Sequence, residues 1–496
     1  MESVPDVDGA QQLRREFSLW SSFAFAFAFI SPIVALYGIY GLALSAAGPA
    51  FWWGFLVVFV GQLLVALVFA ELVSRWPIEG SIYQWASRLL GRRAGWFAGW
   101  AYMWTLVIAM ATVALGAAGF LAAVIGITDP SNGQRLVIAF CILLFGTVAN
   151  IVGRTVLKVL MTASIVAEVI GSVGLGTVLL FHRRHGLSFL LQGDGVHHGG
   201  SYVTGPFLVA MAFIGWSFVG FESAGSIAEE VVQPRRNLPK AVVFSLTFIA
   251  LVVMYSSLAI TLSVPDIGAV LAGKDADPVT TTLTTALGSG IARPLELLFV
   301  IGFVASFLAL QTSASRLLWA YSRDRALPGS RALSRLTRTE RMPVNAILVT
   351  FVVGGLIFLL SVVQGDLYAV LVNFTSGGFY LAFLFPLVGN LVVRLRGRWT
   401  PGPVSFGRAS FVLSVVAPVW ALFELLNIAW PRTVYASGYL NWSFFLVVLV
   451  LGVVGALLYA ARSGDMTTVE PTDPDGDDEG GSSARPLDRT EREATG

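Results

Sequence analysis

The chain carries little charge: Asp, Glu, Lys and Arg make up only 12% of its 496 residues. A soluble fold of that length needs a charged, mixed-sign surface, so a water-exposed globule is excluded. Cysteine is almost absent, and the single Cys141 excludes an internal disulfide framework and a cysteine-rich metal cluster. The four histidines, His182, His185, His197 and His198, crowd into one loop without a firm ligand spacing, so no metal site is expected. Gly193-Asp194-Gly195 lacks a phosphate-loop pattern, and no Ser/His/Asp set falls in one plausible pocket. Neither an ATP motor nor an enzyme is indicated, and no cofactor is expected. A net charge of +2 gives no reason to expect nucleic acid as a partner. Met1 to Gln12 is acidic and polar, unlike a cleavable leader with its basic start and short apolar core.

What abounds is apolar. Hydrophobic residues reach 56% and the mean hydropathy is +0.75. A helix crossing the hydrocarbon core needs about 20 mostly apolar residues. Twelve such stretches are expected, at 18–45, 49–73, 94–125, 135–153, 157–181, 204–229, 240–263, 290–322, 343–363, 367–394, 409–430 and 438–461. They are continuously apolar rather than alternating, which excludes a barrel. The fold class is therefore all-α integral membrane, with membrane lipid as its surround. Residues 1–17 form a cytoplasmic N-terminal segment and 18–461 a single membrane domain; 462–496, charged and rich in Gly, Ser and Pro, is expected to be a disordered cytoplasmic tail. With both termini inside, only Arg135, Arg183, Arg184, Lys274, Arg293 and Arg432 of the 32 Lys and Arg fall outside. That bias sets the orientation in a cytoplasmic membrane.

Two stretches are interrupted. The first contains Ser31-Pro32-Ile33-Val34-Ala35-Leu36-Tyr37-Gly38, and the sixth contains Gly215-Trp216-Ser217-Phe218-Val219-Gly220-Phe221-Glu222-Ser223-Ala224-Gly225. A mid-helix proline removes one backbone bond and clashes with the preceding turn. Irregular backbone survives in lipid only where it is buried or lines a cavity. Two broken helices five apart point to inverted repeats with a solute site between them. Ordinary kinks and small-residue packing are the alternative.

The sixth stretch, from Phe213 through Glu229-Glu230-Val231 to Pro234-Arg235-Arg236-Asn237-Leu238-Pro239, resembles the helix 6 signature of the amino acid–polyamine–organocation permeases. Ala70-Glu71-Leu72, Trp76-Pro77, Gly80-Ser81-Ile82-Tyr83-Gln84-Trp85 and Leu90-Gly91 resemble that family's loop 2–3; Ser315 to Pro328 resembles its helix 8 end. The resemblance brackets nearly the whole membrane part. It implies a five-plus-five inverted-repeat fold with helices 11 and 12 peripheral, and alternating-access transport. The Ser31-Pro32 break looks closest to the amino acid/choline branch, whose substrates include choline, ethanolamine and 4-aminobutyrate. Carriers of α-amino acids in the family hold the carboxylate on helix 1 amides. Pro32 has no N–H to offer, which favours a ligand led by its cationic amine.

Candidate substrate-binding residues are Ser31, Ile33, Val34, Tyr37, Trp216, Phe221 and Glu222. A carboxylate deep in a membrane helix is a functional candidate by default, and Glu222 could attract an ammonium or buffer a proton. The resemblance to arginine/agmatine antiporters ties the matching glutamate to proton sensing and matches Trp216 to an aromatic over the substrate. An indole face holds an ammonium by cation–π attraction. Tyr37 and Phe221 are further members of such a cage. The plainer readings are a structural hydrogen bond for Glu222 to helix 1 or 10 and core packing for the rings.

Glu168, midway along the fifth stretch, is the second candidate for proton coupling; its plainer role is a partner for Ser or Thr on helix 8. Ser313, Ser315, Thr312, Asn150 and Asn373 read as interhelical glue. Glu71, Arg75, Glu229, Glu230 and Arg323 are expected to form an inner gate, Glu229 and Glu230 lying close to Arg235 and Arg236. Glu296 and Glu424 receive no role. The expected activity is secondary transport of an amino acid or small amine, driven by protons or by exchange. A nutrient sensor of the same fold and a channel are the rivals; scattered intramembrane charge argues against a continuous polar pore.

Overall fold

In the computed structural model the described residues are 17–127, 130–193, 201–275, 277–337, 341–361, 367–432, 438–464 and 466. His197, His198 and the tail beyond 466 lie outside them, as does nearly all of the N-terminal segment. Among the described residues the chain is helical, with no strand and one isolated bridge, Phe17 to Val231.

Among the described residues, eleven helices are long and apolar enough to cross a membrane. With one shorter apolar helix, α9, they are labelled α1 (Leu19–Tyr37), α2 (Pro49–Arg75), α3 (Arg92–Val124), α4 (Asn132–Val152), α5 (Thr155–Phe181), α6 (Val203–Glu230), α7 (Pro234–Ser263), α8 (Ser289–Arg323), α9 (Val344–Leu359), α10 (Tyr368–Leu395), α11 (Ala409–Ala429) and α12 (Gly438–Arg462). Each overlaps an expected stretch. The largest differences are at α7, which begins six residues early because Pro234 sits at its first position, where no N–H is needed, and at α1, which stops at Tyr37 instead of running to 45. A separate helix, Tyr40–Ala47, follows the turn at Gly38.

The bundle is apolar on the outside, and its largely apolar core encloses buried polar and charged side chains. Phe181, Val137 and Leu457 are exposed, while Gln62, Glu168, Glu222, Gln311 and Glu424 are fully buried. Lipid is the solvent in which such an exterior is stable. α1 and α8 are the most enclosed helices, each with 78% of its apolar window buried, against 33% for α11 and 11% for α12. The last two pack on the flank. Gly61 of α2 lets α11 approach so closely that a Cβ there would lie 1.9 Å from the Trp420 indole. The Trp100 indole of α3 donates to the Leu451 carbonyl of α12 at 2.8 Å.

Polar side chains tie the enclosed helices together. Asn150 of α4 donates to Gln311 of α8 at 2.8 Å and accepts from Thr312 at 2.9 Å, and Gln311 donates to Thr147 at 2.8 Å. Thr312 is thus occupied with α4. The Ser315 hydroxyl turns back to the Thr312 carbonyl at 2.9 Å.

Candidate functional site

The break in α1 is a single residue. Ser31 takes φ +51°, ψ 113°, ending the helix Leu19–Ile30 and starting Pro32–Tyr37. Pro32 enforces the restart, because its ring cannot continue the preceding helix but suits the first position of a new one. The freed groups find partners. Ser31 N–H reaches the Phe27 carbonyl at 2.8 Å, the Ser31 hydroxyl accepts from Val34 N–H at 3.3 Å, and Ser306 of α8 donates to the Phe29 carbonyl at 2.8 Å.

The break in α6 is wider. A 3₁₀ turn, Gly215–Phe218, gives way to extended Val219 and then to Gly220 at φ +105°. Gly220 is required twice over. Its φ is one that residues with a Cβ rarely adopt, and a Cβ there would lie 2.4 Å from the Phe29 ring.

The two breaks face each other. The Ser217 hydroxyl donates to the Ala35 carbonyl at 2.5 Å, and the Trp216 indole N–H donates to the Val34 carbonyl at 3.4 Å. Glu222 sits just past the α6 elbow. One oxygen accepts from Tyr102 of α3 at 2.9 Å and the other from Gly220 N–H at 3.0 Å. Its partner is therefore on α3, and the expected structural bond to helix 1 or 10 is not made. No Lys or Arg among the described residues pairs with it.

The expected aromatic cage is divided. Trp216 stays beside the α1 break. Tyr37 points the other way, donating to the Gly171 carbonyl at 2.8 Å and stacking on Phe299 with ring centres 4.0 Å apart. Phe221 packs against Phe69 and Phe383, 6.0 and 5.7 Å between centres. Among the described residues neither ring pairs with the Trp216 indole. The Ile33 side chain abuts Gly302 of α8 and Gly171 of α5, which leaves its amide as its offering to a ligand.

Glu168 faces the α1 break, with Ser31, the Ile33 amide and Ser164 around its carboxylate. Neither oxygen has a hydrogen bond of normal geometry among the described residues. Its plainer role as a partner for α8 hydroxyls is not taken up. A π-helical segment, Val169–Gly174, follows immediately; such bulges leave carbonyls unpaired and often mark functional sites. All eight candidate residues, from Ser31 to Glu222 and including Glu168, are at most 7% exposed.

At the end where α6 and α8 finish, the expected inner-gate residues divide into two groups. Arg323 pairs with Glu229 at 3.4 Å and, fully buried, Arg316 pairs with Glu230 at 3.3 Å. Phe17 closes the same end, its N–H reaching the Glu230 carbonyl at 2.9 Å and its carbonyl accepting from Val232 at 2.8 Å. Glu71 stands apart from this group: it binds Arg394 of α10 and Ser410 of α11, and accepts from Phe406 N–H at 3.1 Å. Arg75, half-buried, ends α2. Asp324 accepts from Tyr83 at 2.7 Å, and burial raises its carboxyl above the ordinary range against the pull of Arg323. The sequence reading missed Tyr102, Ser217, Arg316, Arg394 and Glu79. Ser217 and Glu79 lay in or beside segments already singled out; Tyr102 and Arg394 had no local signal.

An apolar-surfaced bundle whose two interrupted helices are bonded across their breaks defines a polytopic membrane protein with its polar interior gathered around those breaks. The family model described as "Amino acid permease" matches residues 17–459, and the chain belongs to that family. It is a transport protein, and the family indicates a transporter rather than an enzyme. It is similar to the branched-chain amino acid permease BcaP of Bacillus subtilis, 26% identical with 92% of this chain and 96% of that protein covered. An amino-acid permease BAT1 homolog of Oryza sativa is 25% identical, covering 85% and 87%. An uncharacterized amino-acid permease of Schizosaccharomyces pombe is 27% identical, covering 85% and 79%.

Proposed function

We propose that the chain is a secondary carrier that moves an amino acid or related amine, such as 4-aminobutyrate, choline or ethanolamine, by alternating access across the cytoplasmic membrane. The observation that carries this reading is the pairing of the two breaks, Ser217 to Ala35 and Trp216 to Val34, beside a buried Glu222 that pairs with no cation among the described residues. A buried carboxylate held only by a tyrosine hydroxyl and an amide can receive the ammonium of a solute, and Trp216 supplies an aromatic face. At the restart of α1, Pro32 has no N–H and the Val34 N–H is occupied by Ser31. Only the Ile33 amide is left there, next to Glu168, which is a poor cradle for a carboxylate. The ammonium is thus the anchored end of the solute, a feature that amino acids and simple amines share. The name of BcaP favours a branched-chain amino acid among the alternatives.

Glu168, with Glu222, is the proposed proton-coupling group, and exchange is the other source of drive. α9 makes a twelfth crossing, and α1–α5 and α6–α10 are the inverted repeats. Both termini are cytoplasmic; residues 462–496 form the tail. The Glu229–Arg323 and Glu230–Arg316 pairs close the inner gate, with Glu71 and Arg75 strapping α2 to its neighbours.

Counterflow in liposomes tests the reading with labelled L-leucine, 4-aminobutyrate, choline and ethanolamine. Saturable flux accelerated by unlabelled solute on the opposite side is expected for at least one. Ligand-induced stabilisation without any flux would mean a sensor instead of a carrier, and non-saturable flux a channel. A response confined to α-amino acids would overturn the argument from Pro32, and transport by Glu168→Gln with undiminished dependence on a pH gradient would remove Glu168 from coupling.

A further inference from the structure

Glu79 lies in the loop between α2 and α3, at the end of the bundle where α6 and α8 finish. Its side chain is fully buried. Its N–H donates to the Glu229 carboxylate at 3.3 Å, which fixes it against α6. Both of its own carboxylate oxygens are buried without a hydrogen bond among the described residues. The charged groups facing it are Glu229 and Glu230 on α6 and Arg316 and Arg323 on α8. Those two guanidinium groups are already engaged, Arg316 with Glu230 at 3.3 Å and Arg323 with Glu229 at 3.4 Å and Asp324 at 3.6 Å. The carboxylates around them outnumber these two cations, and Glu79 is the one that pairs with neither.

An ionised carboxylate enclosed without a donor or cation costs several kcal/mol, whereas the neutral acid pays only for an unmade hydrogen bond. We propose that Glu79 is a proton-binding site of the inner gate. Its carboxyl carries a proton while the loop, α6 and α8 are closed together, and passes that proton to water as they part. In the opening step the O–H bond of Glu79 breaks, the proton goes to a water molecule, and the carboxylate stays behind, solvated. Burial, reinforced by Glu229 and Glu230 and opposed by Arg316 and Arg323, pushes this carboxyl well above its ordinary value of 4.5. The closed gate therefore binds one proton more than the open gate. Its advantage is complete below the ordinary carboxyl range and is lost as pH rises through the raised value. Between those limits, each pH unit shifts the open-to-closed ratio by about tenfold.

The coupling of this proton to transport rests on the carrier reading, so the test has two arms. In the first, infrared titration of the purified protein follows the protonated-carboxyl C=O band. Among the carboxyls of wild type that titrate above the ordinary range, the wild-type-minus-variant difference should show one missing in Glu79→Gln and kept in Glu79→Asp. In the second, flux of whichever labelled probe passes the counterflow assay is followed at fixed external and varied internal pH. Wild type and Glu79→Asp should show a step in rate as internal pH rises through that titration, and Glu79→Gln should lack the step while keeping any dependence on the gradient itself. If Glu79→Gln retains both the band and the pH profile, Glu79 is not the site. An absent wild-type flux would sink the carrier reading alone, since the infrared arm still decides whether Glu79 holds the proton. Loss of the band with an unchanged flux profile would overturn its role in the gate.

Discussion

The hydroxyl of Ser217 donates to the carbonyl of Ala35 at 2.5 Å, bonding the elbow of α6 to the short second half of α1. The Ala35 carbonyl is free to accept only because its helix is broken. An intact α1 would spend the Ala35 carbonyl on its own next turn. The interruption frees polar backbone inside the bundle, and the facing helix absorbs part of it. What is left over is the polar interior in which a solute can be held.

Gly220 is the least replaceable residue of the elbow. Gly220→Ala forces a Cβ into φ +105° and to within 2.4 Å of the Phe29 ring. Left-handed backbone alone costs a residue with a Cβ about 1–2 kcal/mol, and the clash adds to it. Thermal unfolding in detergent should show a clear fall in midpoint. Gly119→Ala, on α3 where nothing lies within 4 Å, should leave the midpoint unchanged or raise it. Equal effects would mean that the elbow is not held in this conformation.

Tyr102→Phe deletes the hydroxyl that holds Glu222 and leaves one buried carboxylate oxygen without its donor. The loss of a donor to a buried polar group costs about 1–3 kcal/mol. If Glu222 anchors the ammonium, that strain is relieved on binding. The variant should then melt earlier than wild type while retaining a ligand-induced rise in midpoint. A variant as stable as wild type would show that the Tyr102–Glu222 bond contributes nothing.

Trp216→Leu removes an aromatic face but keeps apolar bulk. A cation–π contact is worth about 0.5–2 kcal/mol, so affinity for an ammonium solute should fall by roughly twofold to thirtyfold, with Trp216→Phe in between. An unchanged Kd in both variants would make Trp216 a packing residue.

The two ion pairs of the inner gate should behave differently. Arg316 and Glu230 are 2% and 0% exposed. Removing one partner of a buried pair costs about 3–5 kcal/mol, because the survivor stays buried and charged. Arg316→Ala should be severely destabilised and partly rescued by adding Glu230→Gln. Arg323 and Glu229 are each 28% exposed, so water screens their pair more than the buried one. Arg323 also lies 3.6 Å from the buried Asp324, so Arg323→Gln should lower the midpoint, but by less than Arg316→Ala. Melting curves of the three variants beside wild type decide the matter.

The positions of the helices and both breaks were legible in the chain, since apolar length and the Pro32 and Gly220 backbone constraints are local properties. The partners were not. That Glu222 reaches Tyr102 depends on where α3 crosses α6, and Tyr102 is one tyrosine in a long apolar run with no local mark. Phe221 looked like a cage residue because it neighbours Glu222. The 3₁₀ geometry of its segment turns it instead toward Phe69 and Phe383. Glu71 looked like a gate residue by sequence order, but Arg394 and Ser410, more than 320 residues away, engage it. The π-helical segment after Glu168, which receives the Tyr37 hydroxyl, likewise has no signature in a continuous apolar stretch.

The account turns on whether an ammonium-bearing solute binds where the broken ends of α1 and α6 meet. The most direct measurement is the thermal unfolding of wild type and Glu222→Gln across a panel of amino acids, 4-aminobutyrate, choline and ethanolamine. A ligand at about 100 times its Kd stabilises the folded state by about 2.7 kcal/mol. Wild type should melt higher with at least one such compound, and Glu222→Gln should lose that response while remaining folded. An equal response in both proteins would contradict the account, because the solute would then be held somewhere else.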